Sequence, residues 1–225
     1  MIVTPLIEIP EFRDIISECK NLFHEKKITI SKENRVESSL ALPSSWRYSR
    51  GDYFYPLPYR NEIMGYQPAK IIKRQYQSTD EASNKGIHSS GFLEGKHIVT
   101  RHPIELDTVI DISLFEYNIN EILHLNLRGF RRNSRQKEDS LKSIGKTFTR
   151  DDKIINVNYA RDGNFLVNLL RKDEKQNIFE EYIYTKEWDT NDIYKYIHDE
   201  QNQLLEVRAP GKSGNFDVVI WKRDK

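Results

Sequence analysis

Glu121-Ile122-Leu123-His124-Leu125-Asn126-Leu127-Arg128 decides the fold class. Leu123, Leu125 and Leu127 recur at every second position, with His124 and Asn126 between them, so leucines line one side of an extended chain and polar groups the other. Working outward, Lys153 to Tyr159 puts Ile155, Val157 and Tyr159 on one side, and Asn164 to Leu169 does the same with Phe165, Val167 and Leu169. Further β-rich runs are Ala69–Tyr76, Lys96–Thr100, Thr108–Tyr117, Ile178–Tyr184, Ile193–Ile197, Leu204–Val207 and Phe216–Trp221. Turn residues separate these runs, and no helical window long enough for a parallel crossover lies between them. The pattern predicts a mainly β, α+β protein: an N-terminal helix followed by a large twisted antiparallel β meander.

The helix is expected from about Glu11 to Glu25, where Phe12, Ile15, Ile16, Cys19, Leu22 and Phe23 fall on one face. Pro10 suits its first turn. Between helix and meander, Trp46, Tyr48, Tyr53, Phe54, Tyr55 and Tyr59 crowd among Pro43, Pro56 and Pro58, which forbid a continuous helix and weaken any central strand. This segment is expected to be an aromatic lid closing one end of the sheet. The chain thus reads as a single domain over 1–225, divided into a helical segment (1–30), an aromatic Pro-rich loop region (31–66) and the meander (67–225).

Composition narrows the function. Lys+Arg number 35 and Asp+Glu 34, so the formal charge of +1 argues against a surface that is wholly a polyanion trap. One cysteine, Cys19, excludes an internal disulfide framework. The start of the chain lacks a basic segment followed by an apolar one, and no apolar run approaches the ~18 residues of a membrane span, so a cytoplasmic protein with no membrane partner is expected.

Three strand ends share a pattern: Tyr117-Asn-Ile-Asn120, Tyr159-Ala-Arg-Asp162 and Tyr196-Ile-His-Asp199, each leading through a turn into another alternating strand. An Asp or Asn there can hydrogen-bond the turn backbone. The stretch Tyr194-x-Tyr196-x-x-Asp199-x-x-Asn202-x-Leu204-x-x-Val207-x-x-Pro210 resembles the YD (RHS) repeat, with Asn202-Gln203 replacing the family's Gly-Arg. The resemblance covers about the last third of the chain. It implies a long hairpin meander, as in small bacterial immunity-type proteins of polymorphic toxin systems, and not the closed shell of the large RHS proteins. What it implies for function is an antitoxin: a protein-binding inhibitor that occludes the active site of a toxin domain.

The contacts expected for that role are Arg128, Arg131, Arg132 and Arg135, in a run of five cations within residues 128–137, together with Tyr53, Tyr55 and Tyr59. Arg and Tyr tend to carry interface energy. The same basic run could instead neutralise phosphates beside Phe130, which keeps nucleic-acid binding as an alternative. An enzyme acting on nucleotide or nucleic acid is the other alternative. Arg50, His88-Ser-Ser-Gly-Phe92 and Glu180-Glu181 loosely resemble ADP-ribosyltransferase elements, but adjacent acids on a strand face opposite ways. Asp199 with Glu206-Val-Arg208 mimics a nuclease motif, but an arginine cannot serve as its lysine. The six histidines show no metal-binding spacing, so the sequence names no catalytic residue, no metal ligand and no cofactor.

Overall fold

The computed structural model describes residues 4–30, 41–105, 109–130 and 140–224. A single 3-10 turn (Leu6–Glu8) precedes helix α1 (Pro10–Ile30), five residues longer than expected at its C-terminal end. Among the described residues thirteen strands come after it: β1 (Ser45–Arg50), β2 (Lys70–Ile72), β3 (His88–Leu93), β4 (Lys96–Glu105), β5 (Val109–Asn118), β6 (Glu121–Phe130), β7 (Ser140–Thr149), β8 (Lys153–Ala160), β9 (Phe165–Lys172), β10 (Ile178–Thr185), β11 (Asp192–His198), β12 (Leu204–Ala209) and β13 (Val218–Lys222). All lie in one sheet in the order 13-12-11-10-9-8-7-6-5-4-3-1-2, paired antiparallel throughout, so the expected meander is present. Among the described residues no helix is long and apolar enough to cross a membrane.

Turn chemistry accounts for the sharp reversals. Glu94 and Gly95 both take positive φ (50° and 78°), which suits the two-residue β3–β4 hairpin. Asp199 Oδ1 accepts from the backbone N–H groups of Gln201 and Gln203, as the strand-end pattern predicts, and Asp162 Oδ1 accepts from Asn164 N–H. Asp173 does the same for Lys175 and Asn177, in a turn that lacks the tyrosine. The three pattern tyrosines do not share a face, however. Tyr159 packs in the cluster beneath α1, whereas Tyr196 belongs to a second cluster on the opposite face.

The leucine side of β6 faces α1. Phe12, Ile15, Ile16, Cys19 and Phe23 pack with Leu123, Leu125, Leu127, Ile144, Ile155 and Val157 in one buried cluster. Removing these side chains from water is the main force that holds the helix on the sheet. Ion pairs clip its edges: Glu18 to Lys146 at 2.5 Å, and Glu11 to Arg150 and Lys153 at 2.5 and 3.3 Å.

Residues 31–66 depart from the expectation in two ways. Residues 45–50 form β1, a paired strand between β2 and β3, because Pro43 and Pro56 flank this run and do not interrupt it. After β1 the chain runs as a strap across a face of the sheet and not as a lid on its end. Phe54 packs 5.0 Å from the Phe92 ring on β3, and Tyr55 lies 6.0 Å from His124 on β6. Leu57 packs in a cluster with Ile154, Leu170, Val207 and Trp221. Tyr59 rests 5.3 Å from Tyr196 and shares a hydrogen bond with His198.

The strap requires the sheet to curl around it. Gln67 Nε2 donates to the Lys222 carbonyl of β13 at 3.5 Å, and Lys70 already starts β2. Three residues reach about 11 Å. Twelve strand steps in a flat sheet would cover roughly 58 Å. Both edge strands therefore come round to the strap, and their face toward it is concave.

Candidate functional site

The strap-side face carries the polar partners of the alternating strands, and it is not left to water. A hydrogen-bonded chain crosses it from β6 to β11. Thr147 donates to Asn156 Oδ1 (2.9 Å), Asn156 Nδ2 to Asn168 Oδ1 (3.1 Å), and Asn168 Nδ2 to Glu181 Oε1 (2.8 Å). The Tyr196 hydroxyl donates to the other oxygen of Glu181. With its own proton given to Asn156, Thr147 accepts from His124 Nε2 at 3.0 Å. Every donor thus points toward Glu181, an arrangement in which successive bonds polarise one another. Burial still dominates: Glu181 is 2% exposed and its carboxyl is pushed up to about 7, against the two side-chain hydrogen bonds that favour its charge.

A second row lies nearer the end of the sheet. His102 Nε2 and Ser113 Oγ are 3.0 Å apart, Ser113 donates to Asn126 Oδ1 at 2.8 Å, and Asn126 Nδ2 donates to Ser143 at 2.9 Å. Asp52 of the strap places Oδ1 3.9 Å from His102 Nδ1. Ser113, His102 and Asp52 have the membership of a hydrolytic triad, but the proton order is wrong for one. Ser113 gives its hydroxyl proton to Asn126, so His102 Nε2 donates to Ser113, whereas a general base would accept there. Ser113 also sits mid-strand between β4 and β6, so the ladder takes up the backbone N–H groups that an oxyanion hole would need. Burial holds His88, His97, His102 and His124 down to about 4, so these imidazoles are neutral at pH 7, and burial raises the Asp52 carboxyl.

Beyond this row the concave face opens at a charged rim. Asp111 Oδ1 accepts from Arg128 Nε at 3.1 Å, and Lys142 Nζ donates to Oδ2 at 2.5 Å. Burial alone would raise the Asp111 carboxyl, but those two cations hold it below its usual range. On the strap side the guanidinium of Arg60 lies 3.9 Å from the centre of the Tyr55 ring and 3.6 Å from Asp52. Half of the Arg60 side chain stays exposed, and Tyr53, next to Asp52 in the chain, is 47% exposed.

The expected contact residues are therefore partly gathered. Tyr53 and Tyr55 on the strap and Arg128 at the end of β6 belong to this face, while Tyr59 lies farther along it beside Tyr196 and His198. Arg131, Arg132 and Arg135 lie outside the described residues. The sequence reading missed Asp52, Arg60, Asp111 and Lys142. The available signal was the polar side of each alternating strand. A solvated face would carry Lys and Glu, but here it reads His124, Asn126, Thr147, Asn156 and Asn168, groups suited to mutual hydrogen bonding.

The enzyme-like sets are not assembled. Ser49 of β1 pairs with His88 of β3, so Arg50, the next residue along β1, faces the other side of the sheet from His88. Glu180 bonds Arg171 and Tyr182 on the helix side, and Glu181 faces the strap, as adjacent strand residues must. Asp199 caps its turn and pairs with Arg223, and Glu206 is bridged by Arg208 and Lys222. Among the described residues no three His, Cys, Asp or Glu side chains are gathered to hold a metal ion. Compared with protein-family models, with curated proteins and with solved structures, the chain matches none.

Proposed function

We propose that this chain is a protein-binding module that meets its partner at the rim of the concave face, with Tyr53, Tyr55, Arg60 and Arg128 as anchors. In its most specific form it is an immunity-type inhibitor that occludes the active site of a bacterial toxin. The observation that carries this reading is the fixing of Arg60. Its guanidinium is stacked on Tyr55 and paired with Asp52 while half of the side chain remains in solvent. An arginine ordered before binding loses less rotamer freedom in a complex, so more of its contact energy appears as affinity. Tyr53, the residue that follows Asp52 in the chain, supplies an exposed aromatic surface. Buried neutral histidines and amides behind the rim support a packed platform for these anchors.

The test is co-expression with the product of a neighbouring reading frame. Growth rescue and a co-eluting complex are expected, with a loss of at least about ten-fold in affinity for Arg60→Ala combined with Tyr53→Ala. A toxic neighbour that is neither bound nor neutralised refutes the inhibitor role.

A further inference from the structure

A second surface lies on the opposite, helix-side face, over β9 to β13 where α1 does not reach. An open groove of about 410 Å³ there is lined by Phe179, Glu180, Lys195, Ile197, Arg208 and Phe216. The register aligns Arg171, Glu180, Lys195 and Arg208 in one row across β9, β10, β11 and β12, and puts Glu206 opposite Lys222 in the next. Four cations (Arg171, Lys195, Arg208, Lys222) face two carboxylates (Glu180, Glu206), a surplus of two positive charges. The carboxylates are sunk, each 8% exposed, whereas the Arg171, Arg208 and Lys222 side chains are 43%, 37% and 60% exposed. The groove therefore presents positive charge outward.

The two phenylalanines decide which anion fits. Lys195 Nζ sits 4.4 Å from the centre of the Phe216 ring, and the Arg171 guanidinium 5.1 Å from that of Phe179. Each ring already holds a cation over one of its faces, which reduces the platform left for a nucleic-acid base, since a base binds such surfaces by stacking. Instead the rings fix the cations in place, as a carboxylate ligand requires. From β9 to β12 the row spans three strand steps, about 14 Å, the length of roughly four residues of extended chain.

We infer that this groove docks an extended acidic segment of a protein partner, with carboxylates on alternate residues reaching Arg171, Lys195 and Arg208. The inference rests on the protein-binding reading for its class of occupant, but it uses a surface separate from the Arg60 rim.

The experiment uses the full chain and a fluorescein-labelled peptide of alternating glutamate and serine, read by anisotropy at low and high salt. Saturable binding that weakens with salt is expected. Lys195→Glu should reduce it at least about ten-fold, since it reverses a charge at the centre of the row. Lys195→Met, which keeps an apolar stem over Phe216, should reduce it less, and circular dichroism confirms that both variants fold. Arg60→Ala should leave peptide binding unchanged while weakening the toxin complex, so the two readings fail separately. Peptide affinity indifferent to Lys195→Glu overturns the inference. So does its loss in Arg60→Ala, or a labelled oligothymidylate that binds and depends on Lys195 when the peptide does not.

Discussion

Replacing Glu181 by glutamine should stabilise the protein at neutral pH, and by an amount that grows with pH. In the folded chain the Glu181 carboxyl is pushed up to about 7 from 4.5 by burial. An acid whose pKa is raised on folding binds its proton more tightly in the native state. Its cost is absent below the unfolded pKa of 4.5, develops as pH rises, and is complete above about 7. A shift of that size is worth about 3 kcal/mol. Glutamine keeps the acceptor for Asn168, and its Nε2 can donate to the Tyr196 oxygen, so the local geometry survives. Urea unfolding of both proteins at several pH values gives the stability difference. The buried histidines affect both chains alike and cancel in that difference. It should rise by about 3 kcal/mol from acid to slightly alkaline pH. A difference that stays flat, or shrinks as pH rises, would refute the picture of a charged carboxylate held at a cost by polarised neighbours.

The same burial governs other residues. His124, held at about 4 from 6.5, takes up its proton on unfolding, so its contribution is present above pH 6.5 and lost as pH falls toward 4. His124→Gln should therefore raise stability at pH 5 by up to about 2 kcal/mol, and an acid-unfolding midpoint that does not move to lower pH counts against it. Cys19 is fully buried with its thiol pushed up to about 12, so a thiol reagent should modify it only at the rate of unfolding; rapid labelling of the native chain would show the helix is not packed as described. Gly145→Ala places a Cβ 2.9 Å from the Val157 carbonyl oxygen of the neighbouring strand. Chemical denaturation should show a loss of about 1–3 kcal/mol, and an unchanged midpoint would mean the strands can part there at no cost.

The candidate site was less legible than the fold. Arg128 could be picked out as a member of a charge run, and Tyr53 and Tyr55 as aromatics in a proline-broken segment. Nothing local marks Arg60 or Asp52 as their companions. Their pairing depends on the strap folding back on itself over Tyr55. The same holds for Lys195 and Arg208, unremarkable singly, which become a row only when β11 and β12 pair in register. The strand β3 was also hard to see, because His88-Ser-Ser-Gly-Phe92 has no apolar alternation. Its Ser90 bonds Thr100 on the polar side, and Gly91 leaves room for Pro43 and Val99.

By itself the sequence determined the antiparallel meander, the helix and the face that joins them. Those depend on period-two and 3.6-residue spacing of apolar groups, and on Asp and Asn side chains that bond their own turns, all of which act over a few residues. Only the tertiary structure decided what the second face does. Whether a run of His, Asn, Ser and Thr meets water or other protein depends on curvature summed over many strands, and on where a distant strap comes to rest. Here the curl brings both sheet edges to the strap, and the polar face, which period-two spacing left open to water or a partner, becomes a buried hydrogen-bonded interior ending at Glu181.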